Sequence, residues 1–348
     1  MPTEQEILKA IRKIIPNSKK YLFDDAAIIE KDLIITTDTL VENTHFTVQT
    51  PRRGVSTPEE IGWKAMAVNL SDIAAMGGKP LYALISLSLP TNIKIKWIEN
   101  LYKGLIACAK KYKTQIIGGN LARSKEINIT IAVIGKAVVK ASLKPASIAS
   151  TVLGKRSNAR PGDLIFTTGT FGDSACGFLL LKDLVIASKA KQSYKNNIGQ
   201  VRLLRAKALA MTKKHKTPIP QISLGQKIVR LTKRVSLMDA SDGLADSLIQ
   251  IANQSNVKII IDKDKIPLSQ NIKKATHILN KDPLSLALYG GEDYQLVGTA
   301  SKIDCKNLEK LKGVKIIGKV IKGNGAFLKQ NNNRLVKLDV KCIFKHFT

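Results

Sequence analysis

Acidic side chains are scarce in this chain of 348 residues: 27 Asp and Glu stand against 56 Lys and Arg, a formal net charge of +29. Aromatic residues are scarce too, at 5%, which leaves few platforms on which bases stack. The lysines are spread along the whole chain, so the excess reads as a diffuse basic surface, part of it serving anionic substrates. No specific nucleic-acid partner is expected. Only four cysteines occur (Cys108, Cys176, Cys305, Cys342), far apart and with no C-x-x-C pair, which points to a reducing, cytoplasmic setting. No run approaches the roughly 18 apolar residues needed to span a bilayer. Residues 1–20 carry an amphipathic helical pattern (Ile7, Leu8, Ile11, Ile14, Ile15) rather than a signal peptide, so no membrane association is expected. The histidines His45, His215, His277 and His346 show no paired metal spacing and no nearby Ser or Cys elbow, which argues against a zinc site or a hydrolase triad. Neither a G-x-x-x-x-G-K-S/T loop nor a protein-kinase motif set is present.

The length suggests about two domains, and 44% hydrophobic content is that of a globular protein. Thr57-Pro58-Glu59-Glu60 predicts a helix start and Gly77-Gly78-Lys79-Pro80 its stop. Strands are expected at 33–37, delivering Asp38 at its end, and at 81–89, 114–118 and 127–138, with a helix at 94–112. Residues 141–157, rich in Ser, Ala and Lys, read as a linker. A second half follows with strands at 164–168, 235–238, 257–261, 294–299 and 314–320, and a helix capped by Ser241 that runs to Ala252. The lysine-heavy stretch 182–216 reads as partly helical. Alternating strands and helices in both halves make this a mixed α/β (α+β) protein of two domains.

The few acids gather with Gly, Ser and Thr between apolar neighbours: Phe23-Asp24-Asp25-Ala26-Ala27, Thr36-Thr37-Asp38-Thr39, Asn69-Leu70-Ser71-Asp72, Met238-Asp239-Ala240-Ser241-Asp242-Gly243 and Gly290-Gly291-Glu292-Asp293-Tyr294. An acid in an apolar strand or helix costs several kcal/mol unless something cationic meets it. Asp with Ser and Thr oxygens suits a hard cation, and Mg²⁺ usually travels with a phosphate-bearing substrate. Asp72 is the sharpest position, inside a helix of small and apolar residues with Asn69 on the same face. Asp239 and Asp242 flank Ser241 at a strand-to-helix turn suited to phosphate. Gly118-Gly119-Asn120 lets a phosphate approach the backbone. No general base stands out, which fits transfer to an acceptor that is already an ionised phosphate.

In this order the segments resemble the thiamine-monophosphate kinase family of the PurM-like ATP-binding superfamily. The strongest pieces are TTDTLVENTHF (36–46), AMAVNLSDIAAMG (65–77), DASDGL (239–244) and LYGGEDYQL (288–296). The resemblance implies an N-terminal α/β domain (1–145), a C-terminal α/β domain (146–348) and a homodimer built through the N-terminal sheets. It implies transfer of the γ-phosphoryl group of ATP to thiamine monophosphate, with several Mg²⁺ ions. Asp25, Thr36, Thr37, Asp38, Asp72, Asn120, Asp239 and Asp242 match metal-ligand positions, and Asp72, Asp239 and Asp242 carry the chemistry. Tyr102, Gly119, Asn120, Arg156 and Ser241 match ATP-binding positions; His45, Glu292 and Phe344 match positions that contact the thiamine compound. Two departures are specific. Asn120 stands where the family has Asp, and Pro218-Ile219-Pro220-Gln221 lacks an expected Arg. The rival readings are another enzyme of the superfamily and a catalytically weakened homologue kept as a binding protein. A selenophosphate synthetase would want a reactive Cys in the N-terminal glycine-rich segment, where none stands.

Overall fold

In the computed structural model, residues 4–15, 24–29, 32–47, 56–138, 153–189 and 211–339 are described. Five strands, Ala27–Ile29 (β1), Leu33–Val41 (β2), Lys79–Leu89 (β3), Gln115–Arg123 (β4) and Asn128–Lys136 (β5), form one sheet in the order β1-β2-β5-β3-β4. The second sheet is built from Leu164–Thr168 (β6), Val235–Asp239 (β7), Lys258–Asp262 (β8), Leu296–Ala300 (β9), Val314–Ile321 (β10), Gly325–Lys329 (β11) and Leu335–Lys337 (β12). Its order is β12-β11-β8-β10-β6-β9-β7. Pairing is antiparallel except between β3 and β4 and between β8 and β11. This is the mixed α/β class expected from the alternation of elements.

The element that joins the two sheets is the helix Pro58–Ala75 (α2), which follows a short amphipathic helix at Glu4–Ile14 (α1). Thr57 caps α2 with both bonds of a capping box: its hydroxyl accepts the Glu60 N–H at 3.2 Å, and Glu60 accepts the Thr57 N–H at 2.9 Å. At the other end Gly77 turns left-handed (φ +67°), and the Gly77 and Gly78 N–H groups return to Ala74 and Ile73 carbonyls. The helix is apolar on nearly every side, which suits only a fully buried position. Met66, Leu70, Ile73 and Met76 are completely buried, each contributing roughly 1.5–3 kcal/mol against exposure. One side packs on β2, β5 and the helix Ile95–Lys111 (α3); the other meets β7 and the helix Ile222–Leu231 (α5). The core around α2 therefore draws on both halves, from Ile34 and Ile131 to Phe166 and Leu237.

Several boundaries differ from the sequence expectation. Residue 38 lies inside β2, because pairing with β5 continues past it (Asp38 opposite Ile131). Gly118 and Gly119 also lie within a strand: β3 holds β4 in register through Arg123. The helix after Asp239 starts at Leu244 and runs to Ser255 (α6), so its N-cap is Gly243 and not Ser241. Gly243 sits at φ +104°, where a Cβ would meet the Leu288 carbonyl at 2.8 Å. β11 and β12 had no strong sequence signal. Part of 182–216 belongs to the helix Asp173–Lys189 (α4) and part to helical residues 211–216. Residues 190–210 and most of the expected linker lie outside the described residues.

Candidate active site

Three carboxylates from distant parts of the chain converge where α2 passes between the sheets. Asp25 precedes β1, Asp72 comes from α2 and Asp239 ends β7, and a ligand oxygen of each lies within 4.8 Å of the others. Each is held by a neighbour. Thr36 donates its hydroxyl to Asp72 Oδ2 at 2.5 Å, and Ser71 donates to Asp239 Oδ2 at 2.5 Å. Arg156 Nη2 donates to Asp25 Oδ1 at 2.6 Å, while its own backbone N–H is accepted by Asp24 at 2.8 Å. The same guanidinium bonds Gln250 of α6. Asn69, one helical turn before Asp72, accepts the Asp38 N–H at 2.8 Å. Asn69 and Asp72 do share one helix face, as their spacing had suggested, and that face clamps β2 through Asp38 and Thr36.

The electrostatics of this cluster are unfavourable in the protein alone. Burial, then the charges of Asp38, Asp239 and Asp25, pushes Asp72 well above the usual carboxylate range. Burial and the Asp25 charge push Asp239 up to about 8. Burial also raises Asp25, against the pull of Arg156. Among the described residues two carboxylate oxygens, Asp25 Oδ2 and Asp239 Oδ1, are buried with no hydrogen-bond partner. Unpaired buried acceptors that repel one another call for a cation, and an all-oxygen set with a threonine hydroxyl suits Mg²⁺. The residues present fit that ion.

The cluster forms one end of a cleft of about 800 Å³, which Thr37, Asp38, Ser241 and Asp242 also line. The other end is lined by His45, His215, Phe178, Leu179, Leu286 and Glu292. His45 Nδ1 accepts the Val41 N–H at 3.0 Å. Glu292 and Tyr294 both adopt left-handed backbone conformations, at φ +56° and +50°. Such strain persists only where the surroundings enforce it. Here the Glu292 and Tyr294 N–H groups bond the Ser241 and Ala240 carbonyls, laying the Gly-Gly-Glu-Asp-Tyr turn across the Asp239–Gly243 turn. Asp293 secures that turn from behind by accepting the Gly172 and Ser174 N–H groups at the start of α4.

Of the residues singled out from the sequence, Asp25, Thr36, Thr37, Asp38, His45, Asp72, Arg156, Ser241, Asp242 and Glu292 line this cleft, and Asp239 lies beside it. Tyr102 sits half-buried on α3, and Gly119 and Asn120 lie exposed on β4; none of the three lines the cleft of a single chain. Phe344 lies outside the described residues. In the departing segment Pro218–Gln221, the Pro218 carbonyl accepts the Trp63 indole N–H and Gln221 bonds the Ile219 carbonyl. Lys64, His215 and Phe178 were not found from the sequence. A lysine in the apolar run of α2 is a signal for Lys64; nothing local marks His215 or Phe178.

The family model described as AIR synthase related protein, N-terminal domain, matches residues 23–139. Thiamine-monophosphate kinase of Aquifex aeolicus (strain VF5) is 34% identical over 325 residues, covering 92% of each chain. That of Bacillus subtilis (strain 168) is 34% identical over 292 residues, covering 82% of this chain and 79% of the relative. Among solved structures, "AaThiL complexed with AMPPCP and TMP" matches with a TM-score of 0.79 at 32% identity, covering 99% of this chain and 97% of that one. With identity at that level along nearly the whole chain, and the acid-bearing segments gathered into one cleft, the chain belongs to the thiamine-monophosphate kinase family.

Proposed function

We propose that this cleft transfers the γ-phosphoryl group of ATP to the phosphate of thiamine monophosphate, giving thiamine diphosphate and ADP. The observation that carries the reading is the convergence of Asp25, Asp72 and Asp239 with two unpartnered oxygens at one end of a cleft whose other end is partly apolar. The similar structure bound to AMPPCP and TMP supports the substrate pair. Asp25, Asp72 and Asp239, with Thr36, Thr37, Asp38 and Asp242 around them, would hold Mg²⁺. When bound, that ion supplies charge neutralisation for the phosphates. The rest falls to the chain. Ser71 and Thr36 each hold one oxygen of Asp239 and Asp72, which fixes the aim of both carboxylates. Ser241 and Arg156 border the cleft where a nucleotide phosphate would lie. The acceptor phosphate is already anionic, so no side chain has to remove a proton, and catalysis rests on alignment.

Tyr102, Gly119 and Asn120 enter this reading through a second copy of the chain. β4 is an edge strand, and Tyr82, Leu84, Ile117 and Leu121 on or beside it are exposed. An open edge with apolar neighbours favours pairing, which supports a homodimer through the N-terminal sheet. We take residues 1–145 and 146–348 as the two domains. Cys108, Cys176 and Cys305 are buried and unbridged, and no described helix is long and apolar enough to cross a membrane; both suit a cytoplasmic enzyme. A coupled assay of ADP release tests the function directly. Turnover is expected with thiamine monophosphate and none with free thiamine. Efficient phosphorylation of thiamine would overturn the mechanism, and no turnover with either would favour a binding protein.

A further inference from the structure

At the partly apolar end of the cleft three polar groups are linked in a way the phosphoryl chemistry does not use. Lys64, 4% exposed on α2, places Nζ 2.6 Å from Glu292 Oε1. His215 places Nδ1 2.9 Å from Glu292 Oε2, with the Ser174 hydroxyl 3.3 Å from the same nitrogen. Both oxygens of Glu292 are therefore engaged within the protein. Burial works to raise the Glu292 pKa, but Lys64 and His215 outweigh it and hold the carboxyl below its usual range. Burial and the Lys64 charge lower the pKa of His215 against the pull of Glu292, which favours the neutral ring. A neutral imidazole that donates from Nδ1 to a carboxylate has an acceptor lone pair on Nε2. Among the described residues that nitrogen has no partner, and His215 lines the cleft. Beside it the Phe178 ring lies 5.2 Å away, tilted by 41°, and 49% exposed alongside Ala175, Leu179 and Leu286.

We propose that His215 is the specificity-determining residue for the acceptor: Lys64 and Glu292 orient its imidazole, Nε2 accepts a hydrogen bond from an amino group on the acceptor's heteroaromatic ring, and Phe178 supports that ring. This rests on the phosphotransferase reading above. It gives Glu292, which also lines the cleft, the added part of a positioning residue acting through His215. Fixing a ring by a carboxylate behind it is effective because the tautomer and the direction of the lone pair are set before the substrate arrives. A substrate that lacks the amino group leaves the acceptor unpaired, which costs the lost hydrogen bond.

The test is steady-state kinetics with thiamine monophosphate and with its analogue carrying hydrogen in place of the ring amino group. The wild type is expected to prefer the amino compound by about tenfold in kcat/KM, expressed mainly in KM. His215→Phe should lose that factor on thiamine monophosphate, leave the analogue unchanged and leave the KM for ATP unchanged. His215→Gln, which retains an acceptor oxygen, should restore part of the preference, and it reads the same quantity if the Phe variant does not fold. Equal loss on both acceptors would assign His215 a structural role only and overturn the proposal, as would a wild type with no preference. A wild type that turns over neither acceptor sinks the phosphotransferase reading and this assignment together, an outcome distinct from turnover without discrimination.

Discussion

Arg156 and Asp25, 131 residues apart in the chain, meet at 2.6 Å. The pair is enclosed: the Asp25 side chain is 2% exposed and that of Arg156 16%. Among the described residues Arg156 is the cation that meets the acid cluster, and its place between Asp25 and Gln250 spans both halves.

Replacing Arg156 with Met leaves Asp25 buried and unpaired. Breaking such a pair from one side costs about 3 kcal/mol or more, so urea unfolding without metal should show a lower midpoint. Added Mg²⁺ should recover more stability in the variant than in the wild type, because the ion then meets the full charge of the cluster. Equal unfolding curves would mean that the ion pair carries no weight.

Asp72→Asn keeps the shape of the side chain and removes a charge from the centre of the cluster. Turnover is expected to fall by about 10² or more. The melting temperature of the metal-free protein should rise, since burial, and then the charges of Asp38, Asp239 and Asp25, make a carboxyl at that position costly to fold at neutral pH. Near-normal turnover in the folded variant removes Asp72 from the chemistry.

The pH dependence of stability follows from Asp239. Its pKa lies at about 8 in the folded chain against an ordinary 3.8, chiefly through burial and then through Asp25. Between those values the folded chain holds a proton that the unfolded chain has lost. Stability of the metal-free protein should therefore fall as pH rises through that window. Thermal melts in EDTA at several pH values will read it, and Mg²⁺ should flatten the slope. A slope of opposite sign would remove the raised Asp239 from the account.

Asn120 brings an amide oxygen and no charge to whatever ion it meets. If a second copy carries it to the cleft, Asn120→Asp should lower the Mg²⁺ concentration needed for half-maximal activity by about tenfold. Identical magnesium titrations of the two proteins would show that residue 120 is no ligand.

Gly104 of α3 lies where a Cβ would meet the Glu59 carbonyl of α2 at 1.9 Å. Gly104→Ala has to push the two helices apart, at about 1–3 kcal/mol. Because α2 carries Lys64, Ser71 and Asp72, the loss should appear in turnover as well as in thermal stability. A variant as stable as the wild type would contradict the close crossing.

Much of the fold was legible locally. The capping box at Thr57, the Gly77 stop and the apolar surround of Asp72 are contacts within a few residues, and such contacts leave a mark on neighbouring letters. The same holds for the two glycine-containing turns, at Asp239–Gly243 and Gly290–Tyr294, whose backbones admit few residue types. The helix start after Asp239 was misplaced for a tertiary reason: the Ser241 carbonyl is taken up by Glu292 N–H, 51 positions later in the chain. Gly118 and Gly119 looked like a turn because only the register against β3 makes them strand.

By itself the sequence determined which side chains are out of place: the few acids, set among apolar neighbours where an unpaired charge is costly, and the family those segments resemble. Tertiary structure alone decided what each of them meets. Arg156 reaches Asp25, Ser71 reaches Asp239, and Lys64 and His215 close on Glu292, because α2 carries side chains to both sheets at once and no local pattern encodes which distant strand will pass it. The pKa shifts have the same origin. A carboxylate responds to burial and to charges within a few ångströms in space, and those distances exist only once the two sheets have closed on the helix between them.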